Sequence, residues 1–403
     1  MTMNSGIKNF SLLSLFLLLL FLLVLTGLNS AAAQYCPLLW NIDNLSKVKA
    51  SPSKYKVYSE CIKEANQILN DKPVTVTNKN KYFGSNKHNY SSIAPYWWPN
   101  PENPEGEYIF RDGVVNPEVS DYDVASLDDM CKRLRVLSIA FFLTEKEEYY
   151  QAYLKQLRAW FINRRTYMTP QLEYAQVIKG HNRNKGSGAG LVTVDNFHTV
   201  LESFRLVDMI KPVDRRTKRK TVNWFSQFLN WMLCSDLGST ARKGNSNIAL
   251  LYDVAALDIA LFVDNKEVVK YLSDEFRRKR LEKQIKPDGS QPNELSRSKA
   301  FSYSIYNLTH IIDFCIIQES TGNEYYSQNK EIIDSATLFL TKYLGNQDKF
   351  KYSQISTSWT SCEHSLRMQV YRLKRLMPND NPSYNFSDYL VKDLYNNIDY
   401  ILY

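Results

Sequence analysis

An arginine and a tyrosine lie close together in the segment that follows a Pro-Asp-Gly turn at residues 287–289. Arg297 and Tyr303 are six residues apart, and on a helix after that turn they would lie near the same side and converge on a cleft. A phenol normally ionises at a pH of about 10. A neighbouring guanidinium favours the phenolate, which can give or take a proton near neutral pH. The spacing fits equally well an ion pair of Arg297 with Glu294 beside a core tyrosine.

A second group of candidate residues lies in segment 78–118, which is rich in proline, asparagine and aromatic residues. Tyr96, Trp97 and Trp98 are centred in it and offer flat faces for stacking on sugar rings, and Asn89 precedes them. The prolines exclude a helix, so we expect a long ordered loop over a cleft. Because neighbours in an extended segment point in opposite directions, we expect one tryptophan in the core and the other exposed.

Composition limits the class of protein. The chain has 403 residues and a net charge of +8, with 50 Lys and Arg against 42 Asp and Glu. The basic residues are scattered and carry no nucleic-acid-binding signature, so we expect no nucleic-acid partner. A mild positive charge suits attraction to an anionic polymer instead. The glycine count is only 14, which argues against a Gly-rich β-sandwich or a Gly-looped dinucleotide fold.

Apolar residues recur at helical spacing in nine segments from about residue 126 onward, and the first has Ser126 as a candidate N-cap. Strand-like alternation is scarce, which predicts an all-α protein. The regular alternation of helical segments with short polar breaks favours an (α/α) toroid, or incomplete barrel, of helical hairpins, although no sequence repeat is visible. The segments cover residues 126–141, 145–161, 195–210, 218–233, 247–263, 266–284, 294–319, 330–344 and 362–377.

The first residues have the pattern of a secretory signal peptide. Lys8 precedes an unbroken apolar run over residues 12–25, and a small-residue site ends at Ala33. The alternative is a membrane anchor, but the run is short of the roughly 20 apolar residues that a spanning helix needs. The sequence therefore predicts a signal peptide at 1–33 and one domain at 34–403. We expect a secreted or lumenal product with no stable membrane anchor after cleavage.

The secretory pathway allows both disulfide formation and glycosylation. Six cysteines follow residue 33 without a C-x-x-C pair, and their even number permits up to three disulfides. The first candidate pair is Cys36 with Cys61, which flank the short N-terminal segment. A glycoprotein is also predicted. The four sequons are at Asn44, Asn89, Asn307 and Asn385.

A basic loop over residues 179–190 contains His181, which could touch a substrate. Its glycines suggest a phosphate cradle, but no Lys-Ser/Thr pair completes that motif, so we favour a mobile loop. No histidines or carboxylates stand at a metal-ligand spacing such as H-E-x-x-H. The sequence therefore predicts no metal and no other cofactor.

Several of these motifs together resemble the alginate lyase family of polysaccharide lyases. The resemblance covers Tyr82 to Glu319 and is carried by PYWWPNP, Arg-Asp-Gly at 111–113, Tyr-Ala-Gln at 174–176 and KPDGSQPNELSRSKAFSYS. It implies an (α/α) toroid that cleaves uronic-acid polymers by β-elimination. It also implies an Asn and an Arg that neutralise the C5 carboxylate, a His or Tyr that removes the C5 proton, and a Tyr that protonates the departing O4.

On this resemblance Arg297, Tyr303 and Asn247 match the family's Arg, Tyr and Asn, and Tyr252 is a candidate substrate contact. The chain departs from the family at Ile248, which stands where a histidine is expected and cannot accept a proton. Three outcomes stay open. Tyr303 acts as both base and acid, or His198 of the Asp-Asn-Phe-His segment reaches the cleft, or the site is inactive.

The sequence thus predicts a secreted lyase that acts on an alginate-like or glucuronan-like polysaccharide, its expected partner. The alternative is a catalytically impaired carbohydrate-binding protein derived from such a lyase. A third class is an (α/α) glycoside hydrolase that would use two carboxylates, Asp253 with Glu294 or Asp288. Such enzymes hold an acid and a base roughly 5–10 Å apart.

Overall fold

The computed structural model describes residues 36–377 and 398–403. The predicted signal peptide and the sequon at Asn385 lie outside the described residues. Within them, helices dominate and two small sheets complete the secondary structure. The helices are α1 (Ile42–Ala50), α2 (Lys56–Ile68), α3 (Val124–Thr144), α4 (Glu147–Phe161), α5 (Asn196–Ile210), α6 (Arg215–Cys234), α7 (Asp236–Lys243), α8 (Asn247–Phe262), α9 (Lys266–Phe276), α10 (Glu282–Gln284), α11 (Pro292–Leu295), α12 (Ala300–Ser320), α13 (Tyr325–Thr341), α14 (Trp359–Leu373) and α15 (Ile398–Leu402).

Consecutive long helices alternate between two environments. α5, α8 and α12 are buried on nearly every side, whereas α4, α6 and α9 bury one face. The inner helices pack in series, α3 on α5, α5 on α8 and α8 on α12, and α14 packs on α12. The others cover them from outside, with α4 on α3, α6 and α9 on α8, and α13 on α12. This arrangement confirms the prediction of an all-α toroid of paired helices.

The proline-rich segment is ordered and forms short strands. β1 (Ser91–Ile93) pairs in parallel with β4 (Tyr174–Val177), and β2 (Trp97–Trp98) pairs antiparallel with β3 (Ile109–Phe110). In the β2–β3 pair Trp97 stands opposite Phe110. Each strand has only two to four residues, which explains why no alternating pattern was visible in the sequence.

Several helix boundaries differ from the prediction, and two of these differences lie in segments that lead to the candidate site. α3 begins at Val124 rather than after Ser126, because Asp123 occupies the N-cap position. Its buried carboxylate accepts the Ser91 backbone N–H and pairs with the Lys79 ammonium. The predicted helix 294–319 is divided into α11 and α12, with Arg297 in the break between them.

The disulfide prediction is wrong, since all six cysteines are free. The Cys36 thiol contacts the sulfur of Met209 at 3.9 Å, whereas Cys61 is buried against the Val136 carbonyl. Two of the predicted glycosylation sites are also wrong for the folded chain. The side-chain amides of Asn44 and Asn307 are buried and donate to Tyr371 and Gln291, so they cannot carry a glycan.

Among the described residues no single helix has both the length and the apolarity to cross a bilayer. Only α7 and α8 taken together meet that criterion, and they are bent by 118° relative to each other.

Candidate active site

Arg297 is fixed by a carboxylate that lies far away in the sequence. Its guanidinium donates to both oxygens of Asp112, at 2.8 Å from Nη2 and 3.3 Å from Nε. The Ser298 backbone N–H donates to the same carboxylate at 3.1 Å. These hydrogen bonds, that of Arg297 first, lower the pKa of Asp112 to about 2. Asp112 is therefore ionised at neutral pH, and it holds the arginine in one orientation.

Tyr303 lies on the first turn of α12, beside that guanidinium. The Arg297 carbon Cζ is 4.4 Å from the centre of the tyrosine ring, and Nη2 donates to the phenolic oxygen at 3.3 Å. The Tyr303 hydroxyl donates in turn to the Tyr96 hydroxyl at 2.8 Å. Arg297 and Tyr303 thus meet as expected, although they do not share a helix.

The pKa of Tyr303 does not move in the expected direction. Burial raises it above its ordinary value, the hydrogen bond to Tyr96 raises it further, and the lowering effect of Arg297 is too small to reverse them. The free protein consequently holds Tyr303 as a phenol at neutral pH. Sequence spacing could not reveal this, because the burial and the Tyr96 contact depend on the fold.

Asn247 begins α8 and is almost fully buried. Its backbone N–H donates to Glu294 Oε1 at 2.8 Å, and its side-chain amide donates to Oε2 at 2.5 Å. Burial raises the pKa of Glu294, while Asn247 and then Arg297 lower it. Glu294 therefore links the asparagine electrostatically to the arginine. Ile248 packs against the core next to them.

Trp97, Trp98 and Phe110 lie on the short β2–β3 sheet that follows Tyr96 in the chain. Both tryptophans are half-buried, so the prediction of one core and one exposed ring is wrong. Trp97 contacts Phe110 and His181 at ring distances of 5.5 and 5.0 Å, and the Trp98 indole donates to the Val114 carbonyl at 2.9 Å. Pairing between β2 and β3 holds both rings at the surface of the sheet. His181 is thus ordered against Trp97.

Three predicted site residues lie elsewhere. The Tyr252 side chain is buried and donates to the Met232 carbonyl at 2.7 Å, so it is a core residue and its assignment to substrate binding is wrong. Asn89 accepts a hydrogen bond from Thr169 at 2.7 Å, away from the arginine and tyrosine. His198 lines a separate cavity and pairs through Nδ1 with Asp258 at 2.6 Å.

The carboxylates proposed for a hydrolase do not form an acid–base pair. Asp253 is buried and pairs with Arg280 at 2.7 Å, Glu294 binds Asn247, and Asp288 is exposed and bonded to Ser290. Each has a structural partner of its own, which argues against the two-carboxylate mechanism.

One residue of the site was not predicted from the spacing of residues. Asp112 lies 185 residues from Arg297, and only the family resemblance, which includes the Arg-Asp-Gly at 111–113, marked it at all.

Comparisons with known proteins concern the chain as a whole. The family model described as alginate lyase matches residues 75–350. The chain is similar to an alginate lyase from Bacteroides ovatus, with 32% identity and a TM-score of 0.79 over 85% of this chain and 92% of that one. It shares the fold of an alginate lyase from Sphingomonas species A1, at 16% identity and a TM-score of 0.50 over 79% and 88% of the two chains. No curated protein matches the chain.

Proposed function

Because the chain belongs to the alginate lyase family and is a polysaccharide lyase, we propose that it cleaves a uronic-acid-containing polysaccharide by β-elimination. Alginate-like and glucuronan-like polymers are the proposed substrates. The observation that carries this proposal is the meeting of Arg297, Tyr303 and Tyr96 within hydrogen-bond distance. Asn247 binds Glu294, and the charge of Arg297 lowers the pKa of that carboxyl.

Elimination from a uronate requires the loss of a proton next to a carboxylate. That proton is too weakly acidic until the carboxylate charge is offset, so donors aimed at the developing negative charge should dominate the barrier. Arg297 supplies a fixed positive charge, and Asn247 supplies a neutral amide. Because Asp112 already holds the guanidinium, little ordering of Arg297 remains to be done when the substrate binds.

Tyr303 is the proposed proton-transfer group. As phenolate it takes the C5 proton, the C4–C5 double bond forms as the C4–O4 bond breaks, and the same proton then passes to O4. The enzyme ends in its starting state, and no second base is needed at Ile248. This requires that the C5 proton and O4 lie on the same face of the sugar. Tyr96, which accepts the Tyr303 hydrogen bond, orients the phenol.

The surroundings suit a long anionic substrate. Trp97, Trp98 and Phe110 offer rings beside Tyr96 on which pyranose units can stack. The ammonium of Lys299 lies 5.4 Å from the centre of the Tyr96 ring and adds positive charge. The related Bacteroides protein is named an alginate lyase, which supports a polyuronate as partner. The signal-peptide pattern at 1–33 supports action outside the cytoplasm.

The test is an assay for the unsaturated product. Purified protein is incubated with alginate, polymannuronate and polyglucuronate while the ultraviolet absorbance of the C4–C5 double bond is followed. We expect turnover on at least one polymer and a loss of about 10²–10⁴-fold in Tyr303→Phe. Tyr271→Phe is the matched control, because Tyr271 is exposed and contacts Arg242 and Lys279 instead.

The alternative function is carbohydrate binding without efficient catalysis, and it rests on Ile248 at the position expected for a base. Under this alternative, no polyuronate gives an unsaturated product, while oligouronates still bind. A wild-type turnover that Tyr303→Phe abolishes would exclude it. Saturated products from an active preparation would instead point to hydrolysis and overturn the elimination mechanism.

A further inference from the structure

Arginines are concentrated at the beginning of the outer helix α6. Five of the six residues 215–220 are Arg or Lys. Thr217 of the same turn is buried, whereas Arg215, Arg216 and Arg219 are exposed. Positions three or four residues apart share one side of a helix, so these guanidinium groups face the solvent together.

The loop that follows α4 adds two more arginines to this surface. The Arg158 guanidinium pairs with Asp214 at 2.7 Å, and the Trp224 indole donates to the Met168 carbonyl at 2.6 Å. Residues 158–168 therefore lie along the first half of α6. The exposed arginines of this stretch are Arg164 and Arg165. We define the basic patch as Arg164, Arg165, Arg215, Arg216 and Arg219.

The region of the basic patch holds most of the excess charge of the protein. Residues 158–168 and 214–223 contain eight Lys or Arg and one carboxylate, so their net charge of +7 nearly equals the +8 of the whole chain. The nearby carboxylates of Asp208 and Asp214 pair with Lys218 and Arg158. Among the described residues, no carboxylate forms an ion pair with a member of the basic patch. The basic residues are thus less evenly scattered than the sequence suggested.

A second run of basic residues is neutralised within the fold. Residues 277–280 read Arg-Arg-Lys-Arg, yet each of these cations has a carboxylate partner. The basic patch differs from this run in having none, so its charges are free to meet a partner from outside the chain. The pairs in the second run are Arg277 with Glu282, Arg278 and Lys279 with Glu275, and Arg280 with Asp253.

The arginines of α6 oppose the stability of their own helix. Like charges three and four residues apart repel each other on a helix, and cations in the first turn oppose the helix dipole. Arg215, Arg216 and Arg219 combine both effects, and no ion pair within the fold compensates for them. A charge arrangement of this kind indicates an anionic partner.

The density of the charge selects the class of anion. Residues 215–220 span about 9 Å along the helix axis, a length that only a few sugar units of a glycan can face. A polyuronate offers one negative charge per unit and would leave most of these cations unpaired. A glycan that carries sulfate esters offers two or more charges per unit. Guanidinium groups are weakly hydrated and bind oxyanions through two parallel N–H donors, which suits sulfate oxygens.

Duplex nucleic acid has a similar charge density, but the shape of this surface does not suit it. Recognition helices enter a groove of the duplex, whereas α6 packs along α8 as part of the outer layer. It therefore does not protrude as a helix in a groove does.

The basic patch lies far from the proposed catalytic cluster. Tyr252, near the start of α8, donates to the carbonyl of Met232 near the end of α6. Phe262, at the end of α8, contacts Phe225 in the middle of α6 at a ring distance of 5.4 Å. The two helices are thus antiparallel, and the start of α6 extends beyond the end of α8. At 1.5 Å per residue, the patch is more than about 20 Å from Asn247.

We propose that the basic patch binds a sulfated polysaccharide through ion pairs between its guanidinium groups and sulfate esters. This partner differs in chemistry from the polyuronate proposed as substrate, and its site uses none of the residues assigned to elimination. Such glycans occur outside the cytoplasm, where the predicted signal peptide directs the chain. A glycan bound at this end of the ring holds the protein in place while the opposite end stays open to substrate.

The test measures the binding of fluorescein-labelled heparin to the full protein by fluorescence anisotropy, at physiological ionic strength and at rising salt. We expect binding whose affinity falls steeply with salt, because each ion pair releases counterions. The triple variant Arg215→Gln, Arg216→Gln, Arg219→Gln should bind at least about tenfold more weakly, with a less steep dependence on salt. Arg164→Gln with Arg165→Gln should weaken binding as well, which keeps the test independent of α6.

The matched control is Arg277→Gln, Arg278→Gln, Lys279→Gln, which removes the same charge from the run that is neutralised within the fold. It should keep the heparin affinity of wild type within a factor of about two. A loss as large as in the patch variant would show a dependence on net charge alone and overturn the proposal. Urea denaturation checks that both variants fold, and the patch variant should be at least as stable as wild type, because like charges are removed.

Competing polymers identify the class of partner. Polyglucuronate and duplex DNA should displace labelled heparin only at higher concentrations than unlabelled heparin does. Equal displacement by polyglucuronate would make the patch an extension of the substrate site, and equal displacement by DNA would make it a nucleic-acid surface. Either result, or an absence of heparin binding in wild type, would overturn the assignment. Turnover of polyuronates is assayed separately and should be unchanged in the patch variant, so the two proposals can fail independently.

Discussion

At the scale of single residues, Asp112 decides how Arg297 is presented to a substrate. Asp112→Asn keeps the shape but removes the charge and at least one of the three hydrogen bonds that the carboxylate accepts from Arg297 and Ser298. A guanidinium that is misplaced by about 1 Å can cost about a hundredfold in rate, so we expect kcat/KM to fall by about ten- to a hundredfold. Steady-state kinetics on the preferred polyuronate measures this.

The control for that substitution is Asp121→Asn. Asp121 forms an exposed ion pair with Lys81 at 2.6 Å and does not contact Arg297. Its removal should leave kcat and KM within a factor of about two, since exposed pairs contribute little. An unchanged kcat/KM in Asp112→Asn would contradict the role given to Asp112.

The raised pKa of Tyr303 predicts an alkaline pH profile. Burial and the Tyr96 hydrogen bond keep the phenol protonated in the free protein, whereas the proposed mechanism starts from the phenolate. The phenolate fraction grows about tenfold per pH unit below the pKa, so kcat/KM should rise with pH through the neutral range. Rates measured from pH 6 to about 9 test this. A rate that falls over that interval would show that Tyr303 does not begin as the base.

How far the sequence predicted the site can be judged from individual residues. The spacing of Arg297 and Tyr303 indicated that they meet, and they do. It gave the wrong reason, because they lie on either side of a helix break rather than on one helix. The family resemblance made Tyr252 a candidate substrate contact, and only the packing of α6 against α8 shows that this side chain is buried. Long-range partners such as Asp112 leave no local pattern.

At the scale of elements, the Pro-Asp-Gly turn before α11 was correctly predicted and has a sharp steric requirement. Gly289 has a φ of 81°, and a Cβ there would lie 1.9 Å from the Ser335 carbonyl oxygen of α13. Gly322 has a φ of 84° with nothing within 4 Å. These two glycines share a backbone conformation and differ in free space, so they make a matched pair.

Alanine at Gly322 should cost about 1 kcal/mol of unfolding free energy, because only the left-handed backbone is penalised. Alanine at Gly289 should cost about 1–3 kcal/mol more, since α13 must also move. Urea denaturation of the two variants measures the difference. Equal losses of unfolding free energy in the two variants would mean that α13 moves away from the added Cβ without strain. The turn would then not fix the position of α11 and Arg297.

The long helices from α3 onward were largely predictable, since apolar periodicity identified α3, α4, α5, α6, α8, α9, α12, α13 and α14. The break between α11 and α12 was not, because the residues there include neither Gly nor Pro. Its cause is tertiary. The backbone of Ser298 is held by Asp112, and the N–H groups of Phe301 and Ser302 donate to the Gln354 side chain. Such contacts come from distant parts of the chain and cannot be read from local propensity.

At the scale of the whole molecule, buried charges connect the segment at residues 38–40 to the inner helix α5. Glu202 on α5 accepts the backbone N–H groups of Leu38, Leu39 and Trp40, and it pairs with Arg205 at 2.8 Å. Arg205 also binds Asp258 at 2.6 Å, which holds His198. Removing one member of such a network leaves the others uncompensated in a low dielectric, which is more costly than losing an exposed pair.

The charge of His198 makes the stability of this network depend on pH. Its folded pKa of about 9 lies above the ordinary value of 6.5, so the folded state binds the proton more tightly than the unfolded state. The resulting stability is fully present below pH 6.5 and is lost as pH rises through 9. The shift corresponds to a loss on the order of 3 kcal/mol.

Urea denaturation at pH 6.5 and above 9 measures that loss directly. His198→Gln should be less stable than wild type at the lower pH and should show a much smaller change between the two conditions, because the titrating imidazole is gone. His364→Gln, which changes an exposed histidine on α14, should keep the wild-type pH dependence. If His198→Gln also keeps it, the histidine is neutral in the folded protein. Asp258 is then neutralised by Arg205 alone.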